Sequence, residues 1–185
     1  RREWRRLGSD PRGSVPAVMR WVLFDWGGTL MSEDGPLDLP MALWPEVRPI
    51  DGARETLERV ARMARIGIAT NASVSTRPHI ETALVRAGLR ELVSEIFCFT
   101  EMGVRKSDPA FWRHVLEKLA VDPSRVAMVG DSLVEDVIPP RQAGIFSIWF
   151  DAARRPPAEP LDHPVVHRLV DIVPILLKQV ATPSH

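Results

Sequence analysis

Short strand-like runs, apolar over nearly their whole length, recur along this chain, at residues 21–25, 66–70, 96–99, 126–130 and 145–149, with a shorter one at Val165-Val166. A strand with one wet face alternates apolar and polar residues; these runs instead fit strands covered on both sides. Amphipathic segments lie between them. Residues 53–64 put Leu57, Val60, Ala61 and Ala64 on one stripe, and residues 78–87 do the same with Ile80, Ala83, Leu84 and Ala87. Residues 109–119 carry Phe111, Trp112, Val115, Leu116 and Leu119, with Ser107 or Asp108 placed to cap a helix that opens on Pro109. A last helix is expected over residues 169–180, with Pro174 as a point of breakage or kinking. This alternation predicts an α/β fold: a three-layer, doubly wound, Rossmann-type parallel sheet of about five to six strands. Right-handed crossovers then bring every strand's C-terminal end to one edge, where ligands bind.

Residues 1–18 are polar and without period and are expected to form a disordered tail; residues 19–180 are expected to be one domain, and 181–185 a short tail. Residues 31–52 hold Pro36, Pro40, Pro45, Pro49 and Trp44, and read as a long irregular flap over the sheet edge. The chain between Asp25 and Thr70 is too short for an inserted cap domain, which needs ~50 residues or more of its own.

Bulk properties remove several classes. Formal net charge is zero, with 24 basic and 24 acidic residues, so neither nucleic acid nor an anionic membrane surface is indicated as a partner. Arg1, Arg2, Arg5 and Arg6 gather at the N-terminus, with no apolar segment behind them to make a secretory signal. Cys98 is the only cysteine, which excludes an internal disulfide and a thiolate metal cluster; between two phenylalanines it reads as a buried thiol. The five histidines show no metal-ligand spacing, and no apolar stretch approaches the ~20 residues that span a bilayer. A cytoplasmic location is the simplest expectation.

Four of the apolar runs end in, or lead to, a polar group of a distinct kind. Asp25 ends the first and is followed by Trp26-Gly27-Gly28-Thr29. Thr70-Asn71 ends the second; Lys106 lies in the loop after the third; Asp131 ends the fourth in Gly130-Asp131-Ser132, with Glu135 and Asp136 beyond it. Taken singly, each has a plain alternative: Asp25 as a turn residue, Thr70-Asn71 as a helix cap, Lys106 as a surface lysine, Asp131, Glu135 and Asp136 as a turn or helix start. Lys106 is one of only three lysines, which makes its place in a Gly/Pro loop more conspicuous. Jointly the set suits phosphoryl transfer. A carboxylate nucleophile must approach a phosphate that repels it. Oxygen ligands such as Asp25 and Asp131 can hold Mg²⁺ between them. A lysine neutralises charge, and a hydroxyl at Thr70 with the N–H groups of Trp26, Gly27 and Gly28 can hold the phosphate oxygens.

From Arg20 to Leu177 these motifs resemble the haloacid dehalogenase-like (HAD) hydrolase superfamily. Asp25, Gly28 and Thr29 match its first motif, Thr70-Asn71 the second, Lys106 with the following Ser107-Asp108-Pro109 the third, and Gly130-Asp131-Ser132 with Asp136 the fourth. The resemblance implies a phosphatase-like hydrolase acting on a phosphorylated substrate. Asp25 is the expected nucleophile, passing through an aspartyl-phosphate, with Thr70 and Lys106 as its catalytic partners. Substrate contacts are expected from Trp26, Gly27, Gly28, Thr70, Asn71 and Lys106. Mg²⁺ is the expected cofactor, held by Asp25, Asp131, the Gly27 carbonyl and Asp136, the last directly or through water. The short segment between Met31 and Gly52 resembles members without a cap.

Gly27 departs from the pattern, because phosphatases of this family usually carry there an Asp that serves as general acid and base. Such help is worth typically ~10²–10⁴-fold. Its absence implies slow turnover, a substrate with a good leaving group, a replacement acid from the flap (Glu33 or Asp34), or a phosphate-binding protein without turnover. Phosphonate-cleaving relatives need a cap lysine, and no lysine lies between Asp25 and Lys106. Dehalogenases of the family need a helical cap, and receiver domains carry their acids and lysine in a different order.

Overall fold

A computed structural model describes residues 19–155 and 162–181. The tail expected at residues 1–18, and all but Ala181 of that expected at residues 181–185, lie outside the described residues. Strands β1 (Trp21–Phe24), β2 (Arg65–Thr70), β3 (Glu95–Cys98), β4 (Val126–Gly130), β5 (Phe146–Phe150) and β6 (Val165–Val166) follow the apolar runs. They form one six-stranded sheet in the order β3-β2-β1-β4-β5-β6, and every pairing is parallel. The order reverses between β1 and β4, so the crevice of a doubly wound sheet opens there, beyond Phe24 and Gly130.

Successive strand residues point to opposite faces, and both faces are buried. Val22, Phe24, Ile66, Ile68 and Val129 pack on one side with Leu57, Ile80, Leu84 and Leu176; Trp21, Leu23, Phe97 and Met128 pack on the other with Phe111, Trp112 and Val115. Cys98 is a buried free thiol, as its apolar neighbours imply.

The helices are α1 (Ala53–Val60), α2 (Arg77–Arg86), α3 (Phe99–Met102), α4 (Pro109–Leu119), α5 (Ile138–Gln142) and α6 (Ile172–Ala181). Asp108 caps α4, accepting from Ala110 N at 2.8 Å. Four sequence expectations need correction. Helix α1 stops at Val60, and Ala61, placed on its buried stripe, is exposed. Phe99 leaves β3 and opens α3, which the apolar run concealed. Pro174 does not break α6: it sits in the first turn, where its missing N–H has no helical acceptor to lose. Helix α6 also runs through Ala181, into the expected tail. Before α5, residues Leu133–Val137 form a wide π turn, with Ile138 N–H bonding to Leu133 O. Pro139 and Pro140 follow and cannot donate the i→i−4 bonds that would close the backbone into ordinary helix.

The flap is irregular but tied at both ends and in the middle. Ser32 N donates to Arg48 O and Ile50 N to Leu30 O, each at 2.8 Å, closing its base. A 3-10 turn spans Met41–Leu43, and Met41 and Trp44 are buried beneath it. The Arg86 guanidinium, at the end of α2, donates to the carbonyls of Ala42, Trp44 and Pro45 at 2.8, 2.7 and 3.0 Å. No inserted cap domain interrupts the described residues, and no described helix is long and apolar enough to cross a membrane.

Candidate active site

The strand ends bring the expected residues to one cavity of about 380 Å³, whose lining includes Asp25, Gly27, Thr70, Asn71, Lys106, Asp131 and Asp136. Asp25 follows β1 directly, and its N–H still pairs with Val129 O at 2.9 Å, so its side chain leaves the sheet at a fixed point. Asp25 Oδ2 accepts from the buried Thr29 hydroxyl at 3.2 Å, and Oδ1 from Lys106 Nζ at 2.5 Å.

Lys106 is the centre of the arrangement. Its side chain is buried, and Nζ also donates to Asp136 Oδ1 at 2.6 Å. Its backbone is held on two sides: Lys106 N donates to Asn71 Oδ1 at 2.9 Å, and Lys106 O accepts from Trp112 Nε1 at 2.7 Å. Burial alone would lower the ammonium's pKa, but Asp25 and Asp136 outweigh it and hold the group above its ordinary value, charged.

The acids are crowded. Asp136 sits in the π turn, buried, with Oδ2 accepting from Ser132 N at 3.1 Å. It lies so close to Gly130 that any side chain there would overlap its carboxylate, which accounts for the glycine of Gly130-Asp131-Ser132. Burial and the nearby Asp25 charge push Asp136 upward, and the same causes raise Asp131. Carboxylate oxygens of Asp25, Asp131 and Asp136 lie within 4.8 Å of one another. A set of only hard oxygen donors, repelling one another in a partly dry site, fits Mg²⁺ or a similar divalent cation.

Other positions refine the expectation. Thr70 is buried, and its Oγ1 accepts from Ala72 N at 3.1 Å, which leaves its hydroxyl hydrogen to donate into the cavity. Asn71 Nδ2 is buried and without a partner among the described residues. Gly28 departs from its expected role as a phosphate donor. Its N–H is committed to Met31 O at 2.8 Å, and it does not line the cavity. It is needed instead for its φ of 76° and because Asp131 Oδ2 would come within 2.8 Å of a Cβ there. Trp26 and Gly27 remain at the cavity wall. Both flap acids are exposed, but Glu33 lines the cavity, whereas Asp34 does not and accepts from the Ser32 hydroxyl at 2.5 Å.

Sequence reasoning missed a brace behind Asp131. Its carbonyl accepts from Trp149 Nε1 at 3.0 Å and Arg155 Nη2 at 3.2 Å, while the buried Asp151 holds Arg155 Nε at 2.8 Å. Trp149 lies near the end of β5 and Asp151 follows β5 as Asp25 follows β1, which was the available signal.

A family model described as a haloacid dehalogenase-like hydrolase matches residues 37–144, a span that holds Thr70, Lys106, Asp131 and Asp136. The chain belongs to that hydrolase family. A phosphoserine phosphatase of Thermus thermophilus is 35% identical over 140 residues, which is 75% of this chain and 55% of the relative. The pyrimidine 5'-nucleotidase YjjG of Escherichia coli is 31% identical over 133 residues, 70% of this chain and 58% of the relative. The chain thus spans a little over half the length of these curated relatives. Among solved structures, an uncharacterized protein from Listeria monocytogenes serotype 4b superposes with a TM-score of 0.79 at 25% identity, covering 88% of this chain and 99% of that one.

Proposed function

We propose that the protein hydrolyses phosphate esters or anhydrides with the help of Mg²⁺, through an aspartyl-phosphate on Asp25. The observation that carries this reading is the buried Lys106 ammonium shared between Asp25 and Asp136, beside a third carboxylate on Asp131. The phosphatase and nucleotidase names of the relatives agree with it.

The chain's own residues divide the work. Asp25 Oδ2, held by Thr29, is the oxygen free of Lys106 and attacks phosphorus. Lys106 orients the nucleophile and offsets charge beside it. The Thr70 hydroxyl and the unpartnered Asn71 Nδ2 are donors for phosphate oxygens, as are the amides of Trp26 and Gly27. Asp25, Asp131, Asp136 and the Gly27 carbonyl would hold Mg²⁺, which when bound supplies charge neutralisation between phosphate and carboxylate. The flap residues Leu37, Leu39, Met41 and Trp44 complete the cavity wall and form an apolar surface for the leaving group.

The test is a phosphatase screen with Mg²⁺ over acyl, aryl and sugar phosphates. Asp25→Asn is expected to lower turnover at least about a thousandfold on every substrate, since loss of a nucleophile removes the covalent route. Full activity in that variant sinks the mechanism. Binding of Mg²⁺ and phosphate without turnover of any substrate would leave a phosphate-binding protein, one of the alternatives that Gly27 opens.

A further inference from the structure

The acid and base of a phosphatase must act on the leaving oxygen and then on the attacking water. Gly27 has no side chain to do so, and the space beside it is not empty. A Cβ built on Gly27 overlaps Glu33 Oε1 and lies 2.7 Å from Glu33 Cδ and 3.0 Å from Cγ. No other residue's side chain is among the nearest atoms to that point. The Glu33 carboxyl group therefore fills the volume that a side chain at residue 27 would enter.

The backbone puts it there. Leu30 N and Met31 N both donate to Trp26 O at 3.0 Å, turning the chain back immediately after the strand end, and Gly28 N closes the turn on Met31 O. Ser32 N is then fixed to Arg48 O, which delivers Glu33 to the cavity wall. Among the described residues the Glu33 carboxylate has no hydrogen bond and no ion pair; the residue is exposed, and it lines the cavity with Asp25, Lys106 and Asp131. It is not in the carboxylate group that fits a cation, which comprises Asp25, Asp131 and Asp136. Placed over the missing side chain and held by no other group of the described residues, the carboxyl keeps both oxygens available to the cavity.

We propose that Glu33 is the general acid and base of the reaction, supplied by the flap in place of a side chain at Gly27. The inference rests on the aspartyl-phosphate reading above. In the first step an Asp25 oxygen bonds to phosphorus, the bond from phosphorus to the leaving oxygen breaks, and that oxygen takes the proton of the Glu33 carboxyl. In the second step water bonds to phosphorus, its proton passes to the Glu33 carboxylate, the bond between Asp25 and phosphorus breaks, and inorganic phosphate leaves. Glu33 is protonated again, so the cycle closes. Asp34, turned outward and held by Ser32, has no part in it.

The test uses the full chain with Mg²⁺, acetyl phosphate and a simple alkyl phosphate. Acetyl phosphate expels a carboxylate that needs no proton, so Glu33→Gln is expected to take up the phosphoryl group on Asp25 at close to the unsubstituted rate. Decay of the labelled Asp25, followed by intact mass after acid quench, is expected to slow about a hundredfold, and alkyl phosphate turnover to fall by about 10²-fold or more. Asp34→Asn is expected to match the unsubstituted protein in both. Adding Gly27→Asp to Glu33→Ala is expected to recover at least about tenfold of the lost decay rate, because the vacated volume then receives a carboxyl from the strand end. Unchanged decay in Glu33→Gln, or a slow decay in Asp34→Asn instead, overturns the assignment. Equal loss of labelling and decay in Glu33→Gln also overturns it, since that is the mark of a structural role. If the unsubstituted protein takes no label and turns over neither substrate, the aspartyl-phosphate reading fails, and the Glu33 assignment fails with it.

Discussion

Lys106 Nζ lies 2.6 Å from Asp136 Oδ1 while it donates to Asp25 at 2.5 Å, so one buried ammonium serves two buried carboxylates. Removing the charge leaves both acids uncompensated in a dry place. Lys106→Met is expected to destabilise the protein by about 3–5 kcal/mol, the usual cost of breaking a buried pair from one side. Saturating Mg²⁺ is expected to restore more stability to this variant than it adds to the unsubstituted protein, because the cation relieves the same repulsion. Urea unfolding with and without Mg²⁺ measures both effects.

Asp131 behaves in the opposite sense. Burial and Asp25 both act against its charge, and they outweigh Lys106, its own backbone N–H and Arg155. Asp131→Asn should therefore leave the metal-free protein equally stable or more so. At a Mg²⁺ concentration near 100 times Kd, the unsubstituted protein should gain about 2.7 kcal/mol, which for a chain of this size is roughly 5–10 °C in Tm. Asp131→Asn is expected to lose most of that gain. Calorimetry across a Mg²⁺ titration provides the comparison.

Arg86 links α2 to the flap, and through the flap to Glu33. Arg86→Ala is expected to speed proteolysis between residues 31 and 52, with the far-ultraviolet spectrum unchanged, and to lower kcat/KM by about tenfold, a 1.4 kcal/mol effect. Arg86→Lys should not rescue it, since an ammonium lacks the planar fork that reaches all three carbonyls. Limited proteolysis alongside kinetics separates a loosened flap from a damaged fold.

Arg77 supplies the pH-dependent prediction. Its guanidinium donates to Glu101 at 2.9 Å and Glu95 at 3.1 Å. Glu101 is held below its ordinary value of 4.5, chiefly by the bond from Arg77. Glu95 is also lowered: burial opposes the charge but is outweighed by bonds from Ile96, Arg77 and Lys118. A depressed carboxylate contributes stability above its unfolded pKa and loses it as pH falls through the lower folded value. Arg77→Met is expected to cost roughly 1–2 kcal/mol near neutrality, with the difference from the unsubstituted protein shrinking steadily below about pH 4.5. Urea unfolding from pH 7 down to pH 3 tests it; a difference that stays constant would place the energy in packing.

The polar residues that end strands were legible because a doubly wound parallel sheet leaves them few places to go. Asp25 and Asp131 follow β1 and β4 directly, Thr70 ends β2, and Lys106 occupies the short loop before α4. Residues whose roles depend on a distant contact were not legible. Arg86 is one of many arginines on an exposed helix end, and nothing local says that it meets the flap. Trp149 and Arg155 steady the Asp131 carbonyl from the far side of β4, a contact that only the sheet order creates. The π turn around Asp136 is hidden because a Pro-Pro pair reads as a break, whereas here it widens the preceding turn and leaves the carboxylate facing Lys106. Gly27 was legible as a gap. Which flap acid approaches it was not, because Glu33 and Asp34 differ only in the direction set by the turn at Trp26.

The Arg86 clamp grips only main-chain oxygens of the flap. Every residue has such an oxygen, so the clamp places no demand on which side chains the flap carries. Leu37 and Leu39, exposed at the cavity wall, can thus be exchanged through evolution, altering what is admitted to the cavity, while the buried Met41 and Trp44 keep the loop on its course and Glu33 at its station. Divergence in preference and constancy in chemistry are separable in this molecule, and a library randomised at those two positions should yield new selectivities without loss of the hydrolytic step.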